Sequence, residues 1–352
     1  MKVLFLTKYT ALGASSRLRT FQYLPFYEEA GIKCTVKAFF DDRYLNNLYA
    51  GKGTGSLIFS FYLKRLVVLL QVLKYDKIYI EKEIFPYLPP FAEWILFLLK
   101  KKYIVDYDDA IFHNYDLHKN LIVRTVLKNK IDSVMKYAEV VIAGNRYLAQ
   151  RAKDAGAKHI EIIPTVVDLK RYALPGKRKE GPFIIGWIGT RSTFEKHLLL
   201  IKDWLIKAQQ LYGVELHVIG VATTEVFLGD YVKLIPWTED TEVAQLSRFD
   251  VGIMPLKDSS WEQGKCAYKI VQYFALGVPV IASKVGMNAE VCIPGETGFL
   301  ANTEQEFLDA LKVLINDEAA RKEMGRKGRA LVEKTYNLDV SSEILTNIIL
   351  NY

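Results

Sequence analysis

The chain has 352 residues, half of them apolar, which is enough for two domains that each bury their own core. Its three cysteines, Cys34, Cys266 and Cys292, are odd in number, widely spaced and without any Cys-x-x-Cys or His-rich pattern, which argues against a zinc site and fits a reducing compartment. Residues 1–170 hold 26 Lys and Arg against 17 Asp and Glu, an excess of 9, whereas the remainder holds 21 against 23, so the first half is expected to face something acidic.

The opening MKVLFLTKYT enters an apolar strand at once and lacks the longer apolar stretch and cleavage site of a signal peptide, so a cytoplasmic chain starting at Met1 is expected. The apolar stretches 57–73, interrupted by Lys64 and Arg65, and 91–99 do not reach the ~20 uninterrupted residues of a membrane span. An anionic membrane surface, a phosphorylated acceptor or nucleic acid would suit the basic half, with an ordinary soluble surface as the alternative. Without a zinc finger, RNP motif or basic helix–turn–helix pattern, nucleic acid is set aside.

In chain order, short apolar or β-branched runs fall at 3–6, 34–39, 78–80, 103–105, 140–143 and 160–163, then again at 183–188, 215–219, 232–235, 251–254, 280–282 and 299–300. Helical spacing separates them. Parallel strands need crossovers of a dozen or more residues, so the rhythm predicts α/β architecture: two Rossmann-like, doubly wound parallel sheets. The segment 173–182, with two prolines, two glycines and no apolar period, reads as the linker between a domain of residues 1–172 and one of residues 183–336. After the first strand of the second domain, Leu198, Ile201, Leu205 and Ala208 share a helix face that Gly213 terminates. A last apolar helix, 337–352, has no strand to serve and is expected to cross back to the first domain.

Residues 261–283 read as loop, helix, glycine stop and buried strand. Gly264 marks the helix entry, Ala267, Ile270, Val271 and Phe274 form a buried face, and Lys265, Lys269 and Gln272 line a polar one. Such a helix start suits a diphosphate, with Gly264, Lys265 and Cys266 beside it and Gln272 reaching ribose hydroxyls; a solvated helix face is the alternative.

This stretch resembles the signature of the retaining family 4 glycosyltransferases, through Glu262, the helix end Ala275-Leu-Gly277-Val-Pro279-Val280, Gly286, Glu290, Val291, Gly295 and Gly298-Phe-Leu. The likeness extends to Gly13-Ala-Ser-Ser-Arg17-Leu-Arg19, Ile163-Pro-Thr-Val-Val-Asp168 and Gly186-Trp-Ile-Gly189. The resemblance implies the GT-B fold, with two domains facing a cleft. It also implies transfer of a sugar from a UDP- or GDP-sugar to a glycan or lipid-linked acceptor, with retention and without a metal or other cofactor. The family pairs two glutamates eight positions apart; here the second place holds Gln272 and the first Gly264, with Glu262 the nearest carboxylate. An amide carries no charge, so a different ribose contact is implied.

On the same resemblance, Gly189, Thr190 and Arg191 sit at the donor phosphates and Trp237 at the base-binding turn; an exposed loop arginine and a core tryptophan are the alternatives. Gly13 and Arg17 would project at a strand's C-terminal edge, while Arg19 is as well explained by pairing with Glu28 or Glu29. Asp106-Tyr-Asp108-Asp109 could suggest a metal–nucleotide site, but basic side chains serve the leaving diphosphate in this architecture, so Asp108 and Asp109 are assigned to the acceptor side or to structure. His113 matches a histidine near the reacting sugar or is an ordinary loop residue. Glu262, His113, Arg191 and Lys269 are thus the catalytic candidates. A dinucleotide-dependent oxidoreductase is disfavoured because Gly-x-Gly-x-x-Gly is missing after both opening strands. A nucleotide-sugar epimerase of the same fold, or a non-catalytic nucleotide-binding scaffold, stays open.

Overall fold

A computed structural model describes residues 1–49, 52–53, 55–174, 181–224, 226 and 229–352. The linker expected at 173–182 lies for the most part outside the described residues. The chain forms two compact units: Met1–Thr165 with Gly264–Cys266 and Asp339–Tyr352, and Val166–Gln263 with Ala267–Leu338.

The first unit carries strands β1 (Lys2–Thr7), β2 (Lys33–Ala38), β3 (Lys77–Glu81), β4 (Tyr103–Tyr107), β5 (Val140–Ala143) and β6 (Ile160–Ile162), in the order β2-β1-β3-β4-β5-β6. All pairings are parallel. The central strands read as unbroken apolar or aromatic runs because helices cover both faces of such a sheet. Phe5 stacks on Tyr27 and packs against Tyr79 in its core. The chain's last helix, Leu338–Asn351, is tied to this unit from Asp339 onward: Lys77 Nζ donates to the carbonyl of Ile349 (2.6 Å), and Lys102 Nζ to that of Tyr352 (2.9 Å).

The second unit carries β7 (Ile184–Ile188), β8 (Glu215–Ile219), β9 (Val232–Ile235), β10 (Val251–Met254), β11 (Val280–Ala282) and β12 (Gly298–Leu300), ordered β12-β11-β10-β7-β8-β9 and again wholly parallel. The face predicted from spacing is buried: Leu198 and Ile201 lie on a 3-10 turn, and Leu205 and Ala208 on the helix Lys202–Tyr212, which Gly213 ends in a left-handed conformation (φ 64°). The unit begins earlier than composition suggested. Val167 pairs with Asn337, and the Tyr172 hydroxyl donates to Glu242, so residues 166–172 are anchored here by their own hydrogen bonds.

Strand order reverses between β1 and β3 in the first unit and between β7 and β10 in the second. In open parallel sheets, ligands bind beyond the carboxyl ends of strands at such a reversal, because the flanking loops part there. The ends of β1 and β3, and of β7 and β10, are therefore where a site belongs.

Candidate functional site

In the second unit the chain leaves β7 through Gly189 into the helix Arg191–His197, which Thr190 caps by accepting from the backbone N–H of Thr193. Arg191 is exposed and pairs with Glu195 at 3.0 Å. On the same helix, Lys196 reaches Glu262 at 3.0 Å, and His197 lies 3.6 Å from that carboxylate. Lys269 Nζ sits 4.5 Å from the ring centroid of Trp187, a β7 residue, and the helix that carries Arg191 and Lys196 follows that strand after Gly189 and Thr190.

Glu262 is 1% exposed. Burial pushes its carboxyl up, but bonds from Ser259 and Lys196 and the nearby positive charges outweigh this and hold it below its ordinary value. Its contribution to stability is therefore present above the ordinary glutamate range and is lost as pH falls through the lowered value. A carboxylate so enclosed anchors Lys196 rather than presenting itself to a sugar.

The polar face expected on residues 265–272 does not form. Ala267 adopts φ 49°, and the helix runs only over Tyr268–Ala275. Lys265 precedes that break, so it shares no face with Lys269. Gly264 and Cys266 turn inward: Asn145 Nδ2 donates to the carbonyls of Gly264 (3.0 Å) and Lys265 (3.1 Å), and Cys266 Sγ donates to that of Asp108 (3.1 Å). Burial pushes the Cys266 thiol well above its ordinary range, so it is not offered to a ligand as a thiolate. Gln272 is 3% exposed, and its amide donates to the Tyr172 hydroxyl at 2.9 Å, so the expected reach toward solvent and a ribose is absent. Trp237 is half-buried, and its indole N–H donates to Glu242 at 2.6 Å.

In the first unit, charged groups gather where β1, β3 and β4 end. Lys82, with φ 69°, pairs with Asp108 at 2.9 Å and donates to Ser15 Oγ at 3.0 Å, and Ser15 Oγ donates to Asp108 at 2.6 Å. Burial would raise the Asp108 carboxyl, but Lys82, Ser15 and Arg19 pull it down to about 2. Burial, and then the charge of Asp108, push Asp109 up.

Arg19 does not pair with Glu28 or Glu29. It is 1% exposed and grips Asp106 through Nε and Nη2 (3.0 and 2.7 Å), with Nη1 on the carbonyl of Ile163 (2.9 Å). Tyr79 also donates to Asp106. Gly13 opens the helix Ala14–Arg19, and Arg17 donates to the carbonyl of Ala11 at 3.2 Å. His113 starts a short helix, with Nδ1 2.8 Å from Asp116 and Nε2 2.9 Å from the Tyr147 hydroxyl. No group of three or more potential metal ligands occurs among the described residues.

Sequence reasoning missed Lys196, Lys82, Ser15, Tyr172 and Glu242. Lys196 lies on the helix that Arg191 opens, but five positions on it faces another way, and its contact with Glu262 comes from a separate element. The others are brought together across strand crossovers and leave no local pattern.

Comparison with known proteins now adds to this geometry. Residues 182–317 match the family model described as glycosyl transferases group 1. A capsular polysaccharide biosynthesis glycosyltransferase, CapM, of Staphylococcus aureus is 28% identical over 179 residues, covering 47% of this chain and 45% of that protein. A GDP-mannose-dependent monoacylated alpha-(1-6)-phosphatidylinositol monomannoside mannosyltransferase of Corynebacterium glutamicum is 27% identical over 229 residues, covering 58% and 60%. The chain thus spans about half the length of the curated relatives it matches. Among solved structures, Anabaena Alr3699/HepE in complex with UDP superposes over 100% of both chains with a TM-score of 0.73 at 17% identity, a likeness of fold. Over residues 182–317, and in its likeness to these two relatives, the chain is thus similar to glycosyltransferases of group 1, and its two Rossmann-like sheets form the GT-B fold.

Proposed function

We propose that the protein transfers a sugar from a nucleotide-sugar to a glycan or lipid-linked acceptor with retention of configuration. The observation that carries this reading is the helix with Arg191 and Lys196 that follows β7, together with Lys269 against Trp187 of that strand, beside a strand-order reversal. Three cations there can hold a diphosphate and stabilise it as it leaves. Trp237 is the platform for the base; Asp108, bonded to Lys82 and Ser15, serves structure, and Asp109 serves the acceptor side. Attack comes from the face the diphosphate leaves, and a leaving oxygen takes the acceptor proton. The two named relatives, one of capsular polysaccharide biosynthesis and one acting on a phosphatidylinositol mannoside, support the acceptor class. UDP or GDP should bind by isothermal titration, and Lys196→Ala should weaken that binding by on the order of 1.5–3 kcal/mol, as for a charge-assisted contact. Binding of neither nucleotide by the wild type would sink the donor reading, and binding without transfer to any acceptor would favour a scaffold.

The reaction is proposed to need no metal, because the carboxylates of the Asp106–Asp109 run that would hold one are engaged: Asp106 by Arg19 and Tyr79, Asp108 by Lys82 and Ser15. Turnover should persist in excess EDTA. Loss on chelation with recovery on manganese would revive a metal site.

The protein is further proposed to be cytoplasmic and to rest on an anionic membrane surface through its first unit. No helix among the described residues is long and apolar enough to cross a membrane. The helix Gly55–Leu69 leaves Phe59 73% exposed, and Leu98, at the end of the helix Phe91–Leu98, is 76% exposed. The two helices are neighbours, joined through the stacked rings of Tyr62, Phe85 and Phe91. Exposed Lys64 lies on the first helix, exposed Lys74 and Lys100 follow the two helices in sequence, and half-buried Lys101 comes next. Arg65 takes no part: it is buried against the carbonyl of Thr7, and burial lowers its pKa to about 9. Lys102 is paired with Glu139. Apolar side chains rimmed by lysines suit an acidic leaflet, at about 1 kcal/mol per basic residue. Vesicles containing acidic lipid should sediment the protein in a salt-sensitive manner, and Phe59→Glu with Leu98→Glu should release it. A wild type that stays in the supernatant at low salt points to a soluble acceptor.

A further inference from the structure

Gln272 stands where a glutamate would be expected from the family resemblance, and its surroundings give the amide a different task. Its Nε2 donates to the Tyr172 hydroxyl at 2.9 Å, that hydroxyl donates to Glu242 at 2.7 Å, and the other oxygen of Glu242 accepts the indole N–H of Trp237 at 2.6 Å. Tyr172, Gln272 and Glu242 are all buried. Arg329 fixes the same tyrosine from its main chain, donating to its carbonyl at 2.7 Å.

The direction of the chain follows from the donor inventory. A tyrosine hydroxyl has one proton, and here it goes to Glu242, so the group facing the tyrosine oxygen must itself donate. Glutamine does so. An ionised glutamate cannot, and would leave two buried carboxylates competing for one proton.

We infer that Gln272 is a positioning residue that acts through Tyr172 and Glu242 to fix the indole plane of Trp237, and that this plane receives the nucleobase of the donor. The inference rests on the donor reading proposed above. On it, the amide has exchanged direct ribose contact for control of the base platform, and Trp237 is held at a set angle before any ligand arrives. Preorganisation of that kind lowers the cost of binding without adding a contact.

The test uses the full chain with Gln272→Met, Gln272→Glu, Tyr172→Phe and their Met/Phe double variant, probed with UDP and GDP by calorimetry. The indole N–H signal of Trp237, assigned by its loss in Trp237→Phe, is followed by NMR without nucleotide. The signal is expected to move in every relay variant, and affinity for the preferred nucleotide to fall about tenfold, the size of one lost buried hydrogen bond. The double variant should bind no more weakly than either single one, because both cut the same chain. Donor KM should rise while kcat at saturation holds. An indole signal unmoved by Gln272→Met and Tyr172→Phe, or losses that multiply in the double variant, would overturn the relay. If the wild type binds neither nucleotide while the indole signal still moves, the relay stands and the donor reading falls. Should Gln272→Glu fail to fold, the methionine and phenylalanine variants decide alone.

Discussion

Asp106→Ala should lower the stability of the first unit by about 3–5 kcal/mol, the usual cost of leaving one member of a buried ion pair without its partner. Arg19 and Asp106 are each 1% exposed, and the guanidinium meets the carboxylate through two nitrogens. Burial opposes the charge on Arg19, but Asp106 more than restores it and holds the guanidinium well above its ordinary pKa. An uncompensated cation would therefore remain beneath the sheet, beside the hydroxyls of Tyr23 and Tyr79. Denaturant titration followed by tyrosine near-UV dichroism should show the loss, with Asp106→Asn costing less because it keeps an acceptor. Replacing both partners, as Arg19→Met with Asp106→Leu, should recover most of it, since the desolvation cost disappears with the charges. A single Asp106→Ala variant within about 1 kcal/mol of the wild type would show that the pair contributes no more than an exposed one does.

Gly264→Glu, which supplies the first glutamate of the family's pair, should damage the protein instead of improving it. A Cβ at this position would lie 2.4 Å from the Cβ of Ala110 and 2.8 Å from its backbone nitrogen. Backbone cannot swing aside as a flexible side chain can, so even Gly264→Ala should cost about 1–3 kcal/mol through overpacking. The glutamate adds a charge that must be desolvated at a buried position. Thermal melting should rank wild type, alanine and glutamate in falling order, and donor turnover should fall with them. A glutamate variant that melts with the wild type and turns over faster would mean that the loop Gly264–Cys266 opens readily, and that the missing carboxylate is a defect of this chain.

The alternation of apolar strand runs with helical spacing was legible because it follows from a local rule: a parallel sheet covered on both faces needs continuous apolar strands, and each strand needs a crossover. All twelve expected runs correspond to β1–β12. The helix start at 264 failed for a local reason that spacing does not register, the left-handed Ala267 (φ 49°), which delays the helix to Tyr268 and separates Lys265 from Lys269. Arg191 and Lys269 could be singled out from motif positions. That Glu262 would be enclosed by Lys196, His197 and Ser259 could not, since the partners come from separate elements.

By itself, then, the sequence determined the fold class, the number of strands and the stretch where donor-binding chemistry is expected, because periodicity and short motifs act within a dozen residues. Tertiary structure alone decided which charges are spent internally. Arg19 looks like a loop cation until Asp106, 87 residues away, closes on it. Gln272 looks like a ribose ligand until Tyr172, 100 residues away, takes its amide. Both side chains are polar and sit next to motif residues, so neither composition nor spacing distinguishes a group offered to a ligand from one bonded inward. The distinction depends on burial and on a partner brought in by the strand crossovers, where an unpaired polar group would be too costly to keep.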